Sequence, residues 1–112
     1  MEKEFLYIGH YVDIDNNYIL KIGTTNNLDR RQKEHTRNYQ KSPNCTMPKG
    51  GMFVYDWHLP LSKYNTLRYE DRTRKSWQIA QIGEFVKNDR FRCETKPKLV
   101  KVTIRKTYEI SL

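Results

Sequence analysis

Residues 4–12, Glu4-Phe5-Leu6-Tyr7-Ile8-Gly9-His10-Tyr11-Val12, and residues 18–23, Tyr18-Ile19-Leu20-Lys21-Ile22-Gly23, flank the run Asp13-Ile14-Asp15-Asn16-Asn17. Both flanks are rich in strand formers, and Asp and Asn tolerate the left-handed backbone of tight turns, so the stretch predicts a β-hairpin. Side chains alternate across a strand, which sets Leu6, Ile8, His10 and Val12 on one face and Leu20 and Ile22 on the matching face of the return strand. With those turned to the core, Tyr7, Gly9, Tyr11, Lys21 and Gly23 occupy the other side. Pairing Tyr11 with Lys21 also pairs Gly9 with Gly23, a bare strip of sheet that a ligand backbone could approach.

Moving outward, Thr24-Thr25-Asn26-Asn27 supplies helix caps, and a helix follows from Leu28 to about Tyr39. Leu28, Arg31, His35 and Tyr39 share its inner face, while Arg30, Lys33 and Arg37 point elsewhere. Residues 40–51, with Pro43, Pro48 and Gly50-Gly51, read as a loop, either a substrate-contacting flap or an ordinary connector. A third strand is expected over Met52–Leu59, ended by Pro60. Ser62 or Asn65 then caps a second helix over Thr66–Ile82, stopped near Gly83. Two further strands are expected near Arg90–Glu94 and Leu99–Tyr108.

At 112 residues the chain has length for one domain, 1–112, and one modest core. The net charge is +8, and Lys and Arg are spread along the chain instead of gathered in a tail. That favours a folded basic surface facing a polyanion, nucleic acid before membrane. Eight tyrosines and two tryptophans compensate for a low aliphatic content. Cys45 and Cys93 lack the spacing of a zinc or redox motif and are expected as reduced thiols. No apolar run spans a membrane and the start Glu2-Lys3-Glu4 is not a signal peptide, so an intracellular protein (host cell, if viral) is expected.

The run Gly9-His10-Tyr11, Lys21-Ile22-Gly23, then Arg31 and His35 resembles the GIY-YIG nuclease superfamily, closest to the phage and viral branch whose second motif reads K-I-G. The resemblance covers residues 5–37 well and weakens through the helix that carries Glu70. It implies a small α/β (α+β) domain with a central three-stranded antiparallel sheet flanked by helices, here with additional C-terminal strands. It also implies hydrolysis of a DNA phosphodiester with one Mg²⁺ or Mn²⁺ ion. By position, Tyr11, Lys21, Arg31 and His35 match the catalytic set and Glu70 the metal-binding glutamate. Two departures are lysine where the second motif has tyrosine, and His10 where the first motif has an aliphatic residue.

The chemistry is compatible with these roles. A phenol with a reference pKa of about 10 is a poor base for water unless tuned, and a cation within about 4–6 Å would tune it. Arg31 can stabilise charge on phosphoryl oxygens, and His35 can position a phosphate or protonate the leaving oxygen. A single carboxylate suffices for Mg²⁺ when waters and phosphate oxygens complete its shell. Arg30, Lys33 and Arg37 are the candidate nucleic-acid contacts. DNA is the expected partner, with RNA left open, and a homodimer would follow if both strands of a symmetric site were cut. Two alternatives stand beside the enzyme: a catalytically silent binding module on the same fold, and a protein whose basic surface meets an acidic protein.

Overall fold

A computed structural model describes residues 3–79, 84–86 and 90–93. The elements run β1 (Lys3–Val12), β2 (Tyr18–Thr25), α1 (Leu28–Gln40), β3 (Val54–Ser62), α2 (Lys63–Ile79), β4 (Glu84–Val86) and β5 (Arg90–Cys93). The strands form one five-stranded antiparallel sheet in the order β3-β1-β2-β5-β4. The expected α+β architecture is present, with β1 and β2 central and β3 and β5 added on either side. The last predicted strand, residues 99–108, lies outside the described residues.

The hairpin turn is closed by Asp13, whose carboxylate accepts from the backbone N–H of Asp15 at 3.0 Å and of Asn17 at 2.8 Å. Asn16 takes the positive φ that such a turn needs. The faces are as alternation predicts, but the register differs by two residues. Tyr11 pairs with Ile19, Gly9 with Lys21 and Tyr7 with Gly23. A two-residue slip preserves every side-chain direction, so the hydrophobic pattern could not distinguish the two pairings. The expected strip of facing glycines is therefore absent.

The sheet buries both sides. Leu6, Ile8, Leu20, Ile22, Phe91 and Cys93 form one core, covered by Tyr69 of α2. Tyr7, Tyr11, Ile19, Cys45, Met47 and Phe53 form the other, packed by Leu28 and Tyr39 of α1. The 40–51 loop sends Cys45 and Met47 into this core and leaves Lys41, Pro43, Asn44, Lys49 and Gly50 exposed. Its attachment includes the Ile14 N–H donating to Thr46 O at 2.9 Å.

Two boundaries, the end of β3 and the start of α2, each lie three residues from the sequence expectation. β3 runs through Pro60 to Ser62, because β3 is an edge strand and a missing donor there interrupts no second ladder. Ser62 then caps α2 at once, accepting from Asn65 N–H at 3.4 Å, so the helix starts three residues earlier than predicted.

Each glycine of the hairpin faces has a specific neighbour. At Gly9 the β1–β3 register shifts, with Ile8 opposite Trp57 and Gly9 opposite Tyr55. A Cβ on Gly9 would lie 2.4 Å from the Phe53 ring and 2.5 Å from the Val54 carbonyl oxygen. The backbone oxygen cannot swing away, so Gly9→Ala is expected to destabilise by about 1–3 kcal/mol. Thermal unfolding should show this as a fall of roughly 4–8 °C for each kcal/mol.

Candidate functional site

α1 carries the side chains that close over the β1–β2 face. Asn27 starts it, its side chain accepting from Arg30 N–H at 3.0 Å, and Asp29 sits in the first turn where the helix dipole favours an acid. That phase turns His35 into the protein, 2% exposed, and leaves Arg31 half-buried beside it. Arg30, Lys33 and Arg37 are exposed, as the periodicity predicts.

Under α1 the Tyr7 phenol lies across Gly23, where an added Cβ would meet the hydroxyl oxygen at 2.4 Å. The Tyr7 hydroxyl and His35 Nε2 are 2.6 Å apart in a buried hydrogen bond. Arg31 adjoins the same hydroxyl while its Nη1 donates to Glu34 Oε2 at 2.8 Å. Glu70 of α2 is near enough for its charge to act on the phenol. Burial raises the Tyr7 pKa, Arg31 draws it back, and Glu70 raises it further. Tyr55 completes the wall, edge-on to Tyr7 at 5.1 Å and donating its hydroxyl to Leu28 O at 2.7 Å.

His35 is held neutral. Burial, then the positive charges of Arg31, Lys21 and Arg90, depress its pKa to about 3. An imidazole in the unfolded chain protonates near 6.5, so between those values the unfolded state binds more protons and stability increases with pH. We expect the His35 contribution to be intact above about pH 7 and to be lost on acidification at up to about 1.4 kcal/mol per pH unit. Urea unfolding of wild type and His35→Gln over a pH series checks this, since the difference cancels the carboxylates common to both.

Tyr11 sits elsewhere. Its hydroxyl donates to Cys45 O at 2.7 Å and accepts from Arg90 Nη1 at 2.9 Å, and its ring stacks on Tyr39 at 4.8 Å. Burial pushes this phenol up to about 12, against the lowering pull of Arg90. The expected Tyr11–Lys21 cross-strand pair does not exist, and the tyrosine beside Arg31 and His35 is Tyr7. The sequence did carry that signal: Phe5-Leu6-Tyr7 has an aliphatic residue at its centre, whereas Gly9-His10-Tyr11 has histidine.

Lys21 and Arg90 extend the site along the sheet. They flank a cavity of about 340 Å³ bounded also by Arg31, His35, Tyr39 and Ser42. No motif in β5 marks Arg90 in the sequence. Glu70, half-buried, accepts from Arg74 Nη2 at 2.9 Å one helical turn on. Among the described residues no three His, Cys, Asp or Glu side chains cluster as a metal cage, and no helix is long and apolar enough to cross a membrane.

The family model described as T5orf172 domain matches residues 4–81, the segment that contains Tyr7, Lys21, Arg31, His35 and Glu70 but not Arg90. No curated protein and no solved structure is detectably similar. With most of its length matched, and with the nuclease-associated character of that family, the chain belongs to the T5orf172 domain family as a nuclease-like or DNA-binding module.

Proposed function

We propose that the chain is a metal-dependent endonuclease of GIY-YIG type that hydrolyses DNA phosphodiester bonds. The observation that carries this reading is the Tyr7 hydroxyl 2.6 Å from a buried, neutral His35, with Arg31 and Glu70 acting on the same phenol. The nuclease association of the family supports it.

The residues divide the work. With its proton on Nδ1, His35 accepts the Tyr7 hydrogen at Nε2, so Tyr7 can take a proton from an attacking water as it passes its own to the imidazole. The depressed pKa of His35 opposes that transfer in the free protein. Burial is the main cause of that depression; phosphate charge arriving beside Arg31, Lys21 and Arg90 offsets the three positive charges that add to it, which eases proton acceptance when substrate is bound. His35 thus acts as a relay for Tyr7; the imidazolium it becomes returns its proton to solvent, and the leaving oxygen takes a proton from solvent as its bond to phosphorus breaks. Arg31 stabilises charge that develops on the phosphoryl oxygens. Arg30, Lys33 and Arg37, exposed on α1, meet the flanking backbone.

A metal ion fits this donor set in one way. Glu70 offers a single carboxylate, which suits Mg²⁺ or Mn²⁺ completing its shell with water and phosphate oxygens and does not suit an all-protein cage. Bound there, the ion would polarise the phosphoryl group and neutralise its charge. Metal binding is therefore expected to be weak without nucleic acid.

A silent nucleic-acid-binding module is the second reading, favoured by the ion pair that already occupies Glu70 Oε1. Nicking of supercoiled plasmid with Mg²⁺ or Mn²⁺ against EDTA separates the two. Metal-dependent nicking supports the enzyme; salt-sensitive DNA retention with no cleavage of plasmid, single strands or branched DNA supports the binder.

A further inference from the structure

The Tyr39 ring lies against His35, centroid to centroid 5.1 Å, with the two planes 6° apart. The contact follows from α1, since side chains four residues apart on a helix meet one above the other. Tyr39 is itself held by other neighbours. Its ring also stacks on Tyr11 at 4.8 Å and 20°, and the Tyr11 hydroxyl is tied to Cys45 O. The Tyr39 carbonyl accepts from Met47 N–H at 2.9 Å and from Ser42 N–H at 3.3 Å, which pins the end of the helix to the following loop. Phe53 lies on a further side at 6.3 Å.

The imidazole needs such a support. The last torsion of a histidine side chain is broad and roughly two-fold, so the helix backbone does not set the plane of the ring. The 2.6 Å bond to Tyr7 anchors His35 at Nε2 alone, a single point about which the ring can tilt. The Nε2 lone pair lies in the ring plane. Tilting that plane turns the lone pair away from the Tyr7 hydroxyl, and a misaligned hydrogen bond weakens steeply. The two constraints are complementary. A flat stack selects the plane but accepts either flip of the ring, and the Tyr7 hydroxyl selects the flip that presents Nε2. Burial raises the Tyr39 pKa, so the stacked ring carries no charge of its own near neutral pH.

We propose that Tyr39 is a positioning residue for the reaction, its stacked ring holding the His35 imidazole in the plane that lets Nε2 accept the Tyr7 hydrogen. Tyr39 acts through His35 and not on the reacting atoms. The role rests on the nuclease reading for the chemistry it serves, but the orientation of His35 is measurable without any cleavage. It is the ring of Tyr39 that matters here, and its hydroxyl is dispensable.

Two readouts test this in wild type, Tyr39→Phe and Tyr39→Leu, once amide NMR spectra and thermal unfolding have shown that the variants fold. Tyr39→Met, which fills irregular space without a ring, replaces Tyr39→Leu if leucine prevents folding. The first readout is the nitrogen NMR spectrum of the histidine side chains in the free protein. Wild type and Tyr39→Phe are expected to show His35 as one tautomer, protonated at Nδ1 with Nε2 as acceptor. Tyr39→Leu should show averaged nitrogen shifts from mixed tautomers. The second readout is plasmid nicking with Mg²⁺. Tyr39→Leu should lower kcat by about 10–10²-fold, the cost of a misplaced reacting group, and Tyr39→Phe should recover most of that loss. A His35 spectrum in folded Tyr39→Leu identical with that of wild type overturns the proposal, and so does an unchanged kcat. Equal losses in Tyr39→Phe and Tyr39→Leu assign the effect to the hydroxyl and overturn it as well. Absence of nicking by wild type rejects the nuclease reading instead, and the histidine spectra then decide the positioning by themselves.

Discussion

Tyr7→Phe is expected to lower the rate of metal-dependent nicking by about 10²–10⁴-fold, the usual contribution of a positioned acid–base group. Phenylalanine keeps the ring over Gly23 and the edge contacts to Phe53 and Tyr55, so the loss reports the hydroxyl. It also leaves His35 Nε2 buried without its 2.6 Å partner, which should cost about 1–3 kcal/mol in stability. Thermal unfolding of the same variant separates that cost from the rate. Tyr11→Phe is the informative control. Its hydroxyl serves Arg90 and Cys45 O, so its effect should be a rise in KM through Arg90, with kcat much less affected than in Tyr7→Phe. The reverse pattern, with kcat lost in Tyr11→Phe and kept in Tyr7→Phe, would restore Tyr11 as the catalytic phenol and remove the proton relay proposed for His35.

That choice between two tyrosines four residues apart shows where sequence reasoning reaches and where it stops. Period-two alternation assigned Tyr7, Tyr11 and Lys21 to one face correctly, because a face is decided by local backbone geometry. The pairing was not legible, since sliding the hairpin by two residues leaves every apolar side chain buried. What selects the observed pairing is the fit of particular shapes: Tyr7 over Gly23, and the Phe53 ring against Gly9. Helical periodicity likewise placed Arg31 and His35 inward and Arg30, Lys33 and Arg37 outward, because α1 packs one stripe on the sheet. Arg90 was beyond reach for a different reason. It becomes a neighbour of Lys21 and Tyr11 only when β5 joins β2, a contact set by tertiary topology and not by spacing. The part of the site that β5 contributes was therefore the least legible, and the motif-bearing hairpin and helix the most.

Glu70→Gln is expected to reduce metal-dependent nicking by about 10²–10³-fold, a loss comparable to removing a principal electrostatic stabiliser of the transition state. The amide oxygen still accepts from Arg74, so the fold of α2 should survive and thermal unfolding should move little. The sign of the effect decides what Glu70 does. In the free protein its carboxylate raises the pKa of Tyr7, so a purely electrostatic neighbour would hinder the phenol as a base. Removing its charge would then make nicking faster at a given pH and shift the pH–rate profile downward. If Glu70 holds the ion, its neutralisation slows nicking at low Mg²⁺ and the deficit narrows as Mg²⁺ or Mn²⁺ is raised, because a weakened site fills by mass action. A faster variant with an unchanged metal dependence would remove Glu70 from the metal site and leave the ion to be held by the nucleic acid itself, with Tyr7, His35 and Arg31 as the protein's whole contribution to the chemistry.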